Sequence, residues 1–82
     1  MNGRVQGLLW FDSAGTLEQR LRRAIIHYEA KYKLRVRCAL VNNSEWVESG
    51  GLCNIDGVQV VPSIAMLPQH YLIGEVCDDS GE

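Results

Sequence analysis

The residues best suited to chemistry lie near the N-terminus, where Asp12 follows an apolar run over residues 8–11. That run is typical of a strand, and Thr16 then begins a helical pattern. In open α/β sheets, ligands bind outside the carboxyl ends of the strands, where Asp12 would lie, so its carboxylate is a candidate to contact a ligand. The alternative is a solvated aspartate beside a capped helix, with no chemical role.

The string over residues 10–17, with Asp12 and Ala14 ahead of a Gly-Thr turn, resembles the first motif of the haloacid dehalogenase superfamily. Ala14 matches the variant of the phosphonatase branch. The resemblance implies that Asp12 is the nucleophile of a phosphohydrolase and that Thr16 belongs to the phosphate-cradling turn. Residues 42–44, Asn-Asn-Ser, are similar to the second, phosphate-binding motif. The pair Asp78-Asp79 is similar to the acidic pair that holds magnesium in that superfamily.

The sequence departs from that superfamily in two respects. The superfamily has a larger, doubly wound parallel sheet with helices on both faces, whereas this chain has one convincing helix and a predicted hairpin. A motif lysine is also missing, because no lysine follows Lys33. We therefore predict a non-enzymatic protein and keep the phosphohydrolase, with Asp12 and Thr16 as its weak catalytic candidates, as the second alternative.

A basic flank on the predicted helix is the other candidate site. Cations recur there at the spacing of one helical side, beside one outward-pointing isoleucine. The predicted binding surface consists of Arg20, Arg23, Ile26, His27, Lys31, Arg35 and Arg37. Such a surface could contact an acidic protein or a second copy of the chain, or could bind nucleic-acid phosphates. It could also be a solvated face whose long side chains cover apolar surface.

The charges are divided unevenly along the chain. Of the 8 basic residues, seven lie in residues 20–37, whereas residues 38–82 contain seven acids and no lysine or arginine. The net charge is −2. An acidic second half would repel a nucleic acid but could meet the basic flank of another copy. Nucleic-acid binding is therefore the first alternative, ranked below a protein interface.

The remaining reactive residues suggest no metal, cofactor or nucleophilic site. Cys38, Cys53 and Cys77 form no C-x-x-C pair, and no local motif joins them to either histidine. We expect reduced thiols, since disulfides are rare in cytosolic proteins. No run long enough to span a bilayer and no secretory leader is apparent, so we predict a cytoplasmic location and no membrane partner.

The predicted fold is α/β (α+β), with one amphipathic helix over about residues 16–33 packed on a mixed four- to five-stranded sheet. Thr16 and Gln19 fit a capping box at the start of the helix. Strands over residues 5–12 and 35–41 flank it as a βαβ unit, and alternation in the second strand places Val36, Cys38 and Leu40 on one face. Residues 42–51 are predicted to form a polar loop. Asp56-Gly57 predicts a type I′ hairpin between residues 52–55 and 58–61, and Pro62 is expected to end its second strand. A single helical turn over residues 64–67 and a last strand over residues 71–76 follow.

We expect residues 1–77 to form a single domain and residues 78–82 to form a frayed acidic tail. The first strand carries bulky apolar residues on both faces, yet one helix can cover only one face of a sheet. The other face needs a different cover, either residues 62–69 or another copy of the chain. The leading hypothesis is therefore a small interaction or accessory protein that acts as a homodimer.

Overall fold

The computed structural model describes residues 7–75, which form five strands and two helices. In chain order these are β1 (Gly7–Phe11), α1 (Leu17–Tyr32), β2 (Cys38–Asn42), α2 (Asn43–Glu48), β3 (Asn54–Ile55), β4 (Val58–Ser63) and β5 (His70–Gly74). The predicted class, a main helix on a mixed sheet, is confirmed. The ends of the predicted first and last strands, and the predicted tail, lie outside the described residues.

The main helix α1 begins and ends where its sequence signals indicate. Thr16 is the N-cap, and its hydroxyl accepts from the Gln19 amide at 3.2 Å. The Gln19 side chain in turn accepts from the Thr16 amide at 3.0 Å, which completes the capping box. Lys33 closes the helix in the left-handed region, with φ of 60°. α1 is therefore stabilised by local hydrogen bonds at its ends as well as by its packing on the sheet.

The sheet has the order β1-β5-β2-β4-β3. β5 is antiparallel to both β1 and β2, so β1 and β2 run in the same direction with β5 inserted between them. The βαβ unit expected from the sequence is thus present in a split form. β4 is parallel to β2 and antiparallel to β3. The carboxyl ends of β1, β2 and β4 consequently lie at the same end of the sheet, together with the start of α1.

The entry into β2 differs from the sequence prediction. The alternation of residues 35–41 predicts that Val36 shares a face with Cys38, but Val36 packs in the core beside Ala39. The Arg37 amide donates to the Gly74 carbonyl at 2.9 Å, and Cys38 is also the register partner of Gly74. Two residues opposite one partner form a β-bulge, which reverses the alternation at this point.

The hairpin is confirmed, and the segments on either side of it required correction. Asp56 and Gly57 have φ of 50° and 89°, as a type I′ turn requires. β4 continues through Pro62, which was expected to end it. β3 pairs in register only with Val58 and Gln59 of β4, so no strand pairing within residues 7–75 requires an N–H from Pro62 on that side. Residues 43–48, expected to be a loop, form α2, and residues 64–67 form turns rather than the expected helical turn.

The core lies between α1 and one face of the sheet. Its buried members come from α1, from β2 to β5 and from the entry to β2: Leu17, Leu21, Ala24, Tyr28, Val36, Ala39, Val41, Ile55, Val58, Val60, Tyr71 and Ile73. Leu8 and Trp10 of β1 are partly buried and pack against this core. We call the opposite side of the sheet the helix-free face. Neither helix among the described residues is long and apolar enough to cross a membrane.

Candidate functional site

The carboxylate of Asp12, directly after β1, is fully engaged. Arg23 donates from Nε to Oδ2 at 2.7 Å and from Nη2 to Oδ1 at 3.1 Å, a bidentate pair. The Ala14 amide donates to Oδ1 at 3.0 Å, and the Trp10 indole donates to Oδ2 at 3.3 Å. The hydrogen bonds from Arg23 hold the pKa of Asp12 well below its usual range. Both oxygens therefore anchor the loop to α1 instead of facing a substrate.

The other residues of the phosphohydrolase resemblance have capping roles. Thr16 caps α1, as described above. Asn42 caps α2, where its Oδ1 accepts from the Glu45 amide at 3.0 Å and its Nδ2 donates to the Met66 carbonyl at 2.9 Å. Asp78 and Asp79, the pair similar to a magnesium site, lie outside the described residues. No group of three or more His, Cys, Asp or Glu within residues 7–75 is arranged to hold a metal ion.

The basic flank of α1, formed by Arg20, Arg23, His27 and Lys31, lies on the β1 side of the helix, and its groups contact neighbours in the protein. Arg23 binds Asp12, and Arg20 binds groups on the sheet and on α2. The His27 ring packs on the Trp10 indole, with ring centroids 5.0 Å apart. The charge that this flank presents to a ligand is therefore smaller than the sequence alone suggests.

A buried polar cluster of Arg20, Tyr71 and Glu45 joins α1, β5 and α2. Arg20 Nη1 donates to the Tyr71 hydroxyl at 3.0 Å, and that hydroxyl donates to Glu45 Oε1 at 2.7 Å. Arg20 and Glu45 are also an ion pair at 3.6 Å, with both side chains 16% exposed. Burial raises the pKa of Tyr71 to about 12. Glu45 Oε2 accepts from the Gln69 amide at 2.8 Å.

Sequence reasoning missed Glu45 and Tyr71. An available signal was the spacing of Asn42 and Glu45, which is that of a helix cap followed by an acid in the first turn. Tyr71 could not be paired with Arg20 from the sequence, because the two residues are 51 positions apart. The cluster fixes the start of α1 over the sheet, and its polar groups mostly satisfy one another.

A cavity of about 590 Å³ opens beside this cluster, at the end of the sheet where the carboxyl ends of β1, β2 and β4 lie. Its walls include the start of α1, with Thr16 and Arg20, and the α2 side, with Glu45, Glu48 and Leu52. Of the charged groups on those walls, Arg20 and Glu45 are paired with each other. The cavity thus presents three acids, Glu18, Glu45 and Glu48, and no unpaired arginine or lysine, a poor match for the phosphate substrate that the resemblance implies.

The remaining predicted binding residues lie apart from the basic flank. Ile26 is 68% exposed on the opposite side of α1, where a groove of about 440 Å³ separates the helix from the hairpin. Arg35 contributes to the wall of that groove, and Arg37 lies next to it. Neither arginine forms an ion pair within residues 7–75. The structure therefore divides the predicted surface into two separate parts.

The helix-free face carries an apolar patch at its β1 side. Leu9 pairs in register with Leu72 of β5, and Phe11 pairs with His70, whose ring centroid is 5.0 Å from that of Phe11. Leu9 and Phe11 are each 61% exposed. We call Leu9, Phe11 and Leu72 the β1 patch. Leu40, in the middle of the same face, is only 6% exposed, so the uncovered apolar surface lies at the β1 edge.

One of the two cysteines within residues 7–75 differs from the expectation of reduced thiols. Cys38 is disulfide-bonded, whereas Cys53 has a free and exposed thiol. Cys77 lies outside the described residues. Disulfides persist mainly in oxidising compartments, so the bond at Cys38 does not fit the reasoning that favoured a cytosolic protein.

No protein-family model, no curated protein and no solved structure matches this chain. A functional conclusion therefore depends on the geometry described above.

Proposed function

We propose that the chain is a non-enzymatic interaction protein that acts as a homodimer, with β1 and the β1 patch as its contact surface. The observation that carries this proposal is the exposure of Leu9 and Phe11 on a strand without charged residues at the edge of the sheet. Large apolar side chains that stay exposed together mark interaction surfaces more often than isolated ones do. A small domain also gains stability when a partner covers such a surface.

The charge arrangement supports a protein partner at this side of the molecule. The two arginines of the flank that lies above β1, Arg20 and Arg23, are paired with Glu45 and Asp12. A second copy could approach β1 without burying either of these arginines unpaired, which would be costly. Nucleic acid, in contrast, is bound mainly through free cations that displace its counterions.

Sedimentation equilibrium of Leu9→Lys tests the proposal, with Ile26→Lys as the matched control. The two substitutions replace side chains of similar exposure, 61% and 68%, on different sides of the molecule. We expect dimers for the native chain and for Ile26→Lys, and monomers for Leu9→Lys. A native chain that stays monomeric at hundreds of micromolar, or equal weakening by both substitutions, would contradict the proposed contact surface.

An acidic protein or a nucleic acid is the alternative partner, and the observation that favours it is the absence of ion pairs at Arg35 and Arg37 within residues 7–75. If nucleic acid binds there, Arg35→Gln/Arg37→Gln should weaken binding and reduce its salt dependence. Arg20→Glu/Arg23→Glu tests the basic flank in the same assay. Binding that neither double substitution changes would remove this alternative.

The phosphohydrolase alternative depends on Asp12 as nucleophile. It requires magnesium-dependent hydrolysis of a phosphomonoester analogue that Asp12→Asn abolishes. Because Arg23 occupies both carboxylate oxygens, we expect no turnover by the native protein. Turnover that disappears in Asp12→Asn and persists in Glu48→Gln, a change on the cavity wall, would establish the enzyme instead.

A cytoplasmic location is the remaining proposal, and it follows from the sequence rather than from the geometry. The disulfide at Cys38 is the observation that opposes it. Acid quenching of cells, alkylation of free thiols in denaturant so that the buried Cys38 is accessible, and mass spectrometry together distinguish the two cases. Modified Cys38 would support a reducing compartment, and protected Cys38 would support an oxidising one.

A further inference from the structure

We propose that the two copies of the chain join by antiparallel pairing of their β1 strands about a twofold axis at Leu9, so that the two sheets become continuous. This inference rests on the proposed homodimer and specifies how its contact surface is used. The alternative geometry, in which two helix-free faces pack against each other, would bury the same patch without pairing the strands. The backbone of β1 distinguishes between these two arrangements.

The outer edge of β1 has no partner strand within residues 7–75, and the register shows which backbone groups of β1 point towards that edge. The Asp12 amide donates to the Gln69 carbonyl at 3.1 Å, and these residues continue the β1–β5 pairing beyond Phe11. In antiparallel strands, hydrogen-bonded pairs alternate with pairs whose N–H and C=O groups point outwards. Trp10 therefore bonds to β5, whereas the backbone groups of Leu9 and Phe11 face the open edge. No strand within residues 7–75 pairs with that edge.

β1 lacks the features that normally prevent pairing between edge strands. Its sequence, GLLWF, contains no charged residue and no proline. Proteins usually block an exposed edge with lysine, proline, a bulge or a very short strand. The opposite edge of this sheet follows that rule, because β3 has only 2 residues, with Asp56 directly after it. The two edges are thus unequal, and β1 is the one available to a partner.

Pairing of β1 with itself is complementary at each position. An antiparallel register centred on Leu9 overlaps all five residues of the strand and places Leu9 opposite Leu9 of the second copy. Phe11 then lies opposite Gly7, which leaves room for the aromatic ring. Leu8 lies opposite Trp10 on the helix side. Every side-chain pair across the axis is apolar or involves glycine, so a second copy satisfies both the backbone edge and the β1 patch.

Site-specific cross-linking tests this register in a Cys53→Ser background, which removes the free exposed thiol. Opposed Cα atoms at Leu9 would be about 5.5 Å apart, within the range that a disulfide bridges. The two Phe11 positions would be separated by four residues, about 14 Å. Mild oxidation should therefore cross-link Leu9→Cys and leave Phe11→Cys at the level of the parent protein. Cross-linking of Phe11→Cys equal to that of Leu9→Cys would overturn the register.

Comparison of Leu9→Pro with Leu9→Ala tests strand pairing independently. Both remove the leucine side chain, but only proline removes the outward N–H, which makes no bond to β5. We expect Leu9→Pro to bind itself roughly tenfold or more weakly than Leu9→Ala, with both chains folded by circular dichroism. Equal dissociation constants in a chain that still dimerises would refute edge pairing and leave the homodimer intact. A monomeric native chain would refute both.

Discussion

Removal of one hydroxyl group from Tyr71 should destabilise the protein substantially. Tyr71 is fully buried, and its hydroxyl bonds to Arg20 at 3.0 Å and to Glu45 at 2.7 Å. Hydrogen bonds to charged groups contribute about 1.5–3 kcal/mol each. Both charged partners keep other bonds, to the Ser13 carbonyl and the Gln69 amide, so we expect Tyr71→Phe to cost about 2–3 kcal/mol rather than the full sum.

Chemical denaturation with urea measures this loss, and Tyr32→Phe is the matched control. Tyr32 loses the same atom from α1, but its side chain is 40% exposed, so we expect a change within about 0.5 kcal/mol. For a domain of this size, the loss at Tyr71 corresponds to a melting temperature lower by about 10–20 °C. If Tyr71→Phe is as stable as the native chain, the hydrogen bonds of the Arg20–Tyr71–Glu45 cluster do not stabilise the fold. An increase in stability would instead indicate groups held for a ligand.

Three further predictions concern pH and backbone strain. The pKa of Tyr71 in the folded protein is raised to about 12. Its stabilising contribution is therefore complete below about pH 10 and is lost as the pH rises through 12. Over that range, the urea midpoint of Tyr71→Phe should fall less than that of the native chain. The pKa of Asp12 is lowered, so its stabilising contribution is present above about pH 4 and is lost as the pH falls further. In Asp12→Asn, the urea midpoint should therefore fall less below about pH 4 than in the native chain. An equal fall in both chains would show that the ion pair of Asp12 with Arg23 contributes little to stability. Lys33 adopts φ of 60°, which glycine tolerates better, so Lys33→Gly should raise the free energy of unfolding by roughly 0.5–1 kcal/mol, and a lower value would contradict the strain.

Features that depend on neighbouring residues could be predicted from the sequence. The capping box of Thr16 and Gln19 and the positive φ pair at Asp56-Gly57 are local devices, and both lie where the residue types indicate. The exposed apolar residues at the β1 side of the second face also followed from local pattern, because apolar residues on both sides of β1 cannot all contact one helix. Leu9 and Phe11 are exposed for that reason.

Features that depend on distant residues could not be predicted. The insertion of β5 between β1 and β2 is a choice among strand orders that alternation does not encode. The bulge at Arg37 involves Gly74 of β5, a residue distant in the sequence, so the alternation of residues 35–41 alone could not reveal it. For the candidate site, the basic spacing on α1 was visible, but the partners that neutralise Arg20 and Arg23 come from other elements. The sequence therefore overstated the charge available to a ligand.

Amide hydrogen exchange at several protein concentrations tests association through β1 most directly. The outward amides of Leu9 and Phe11 should exchange fast in dilute solution and become protected as the concentration rises. The Trp10 amide, which bonds to β5 within one chain, should stay protected throughout. Exchange at Leu9 and Phe11 that is independent of concentration, from low micromolar to millimolar protein, would contradict the proposed dimer and its contact surface.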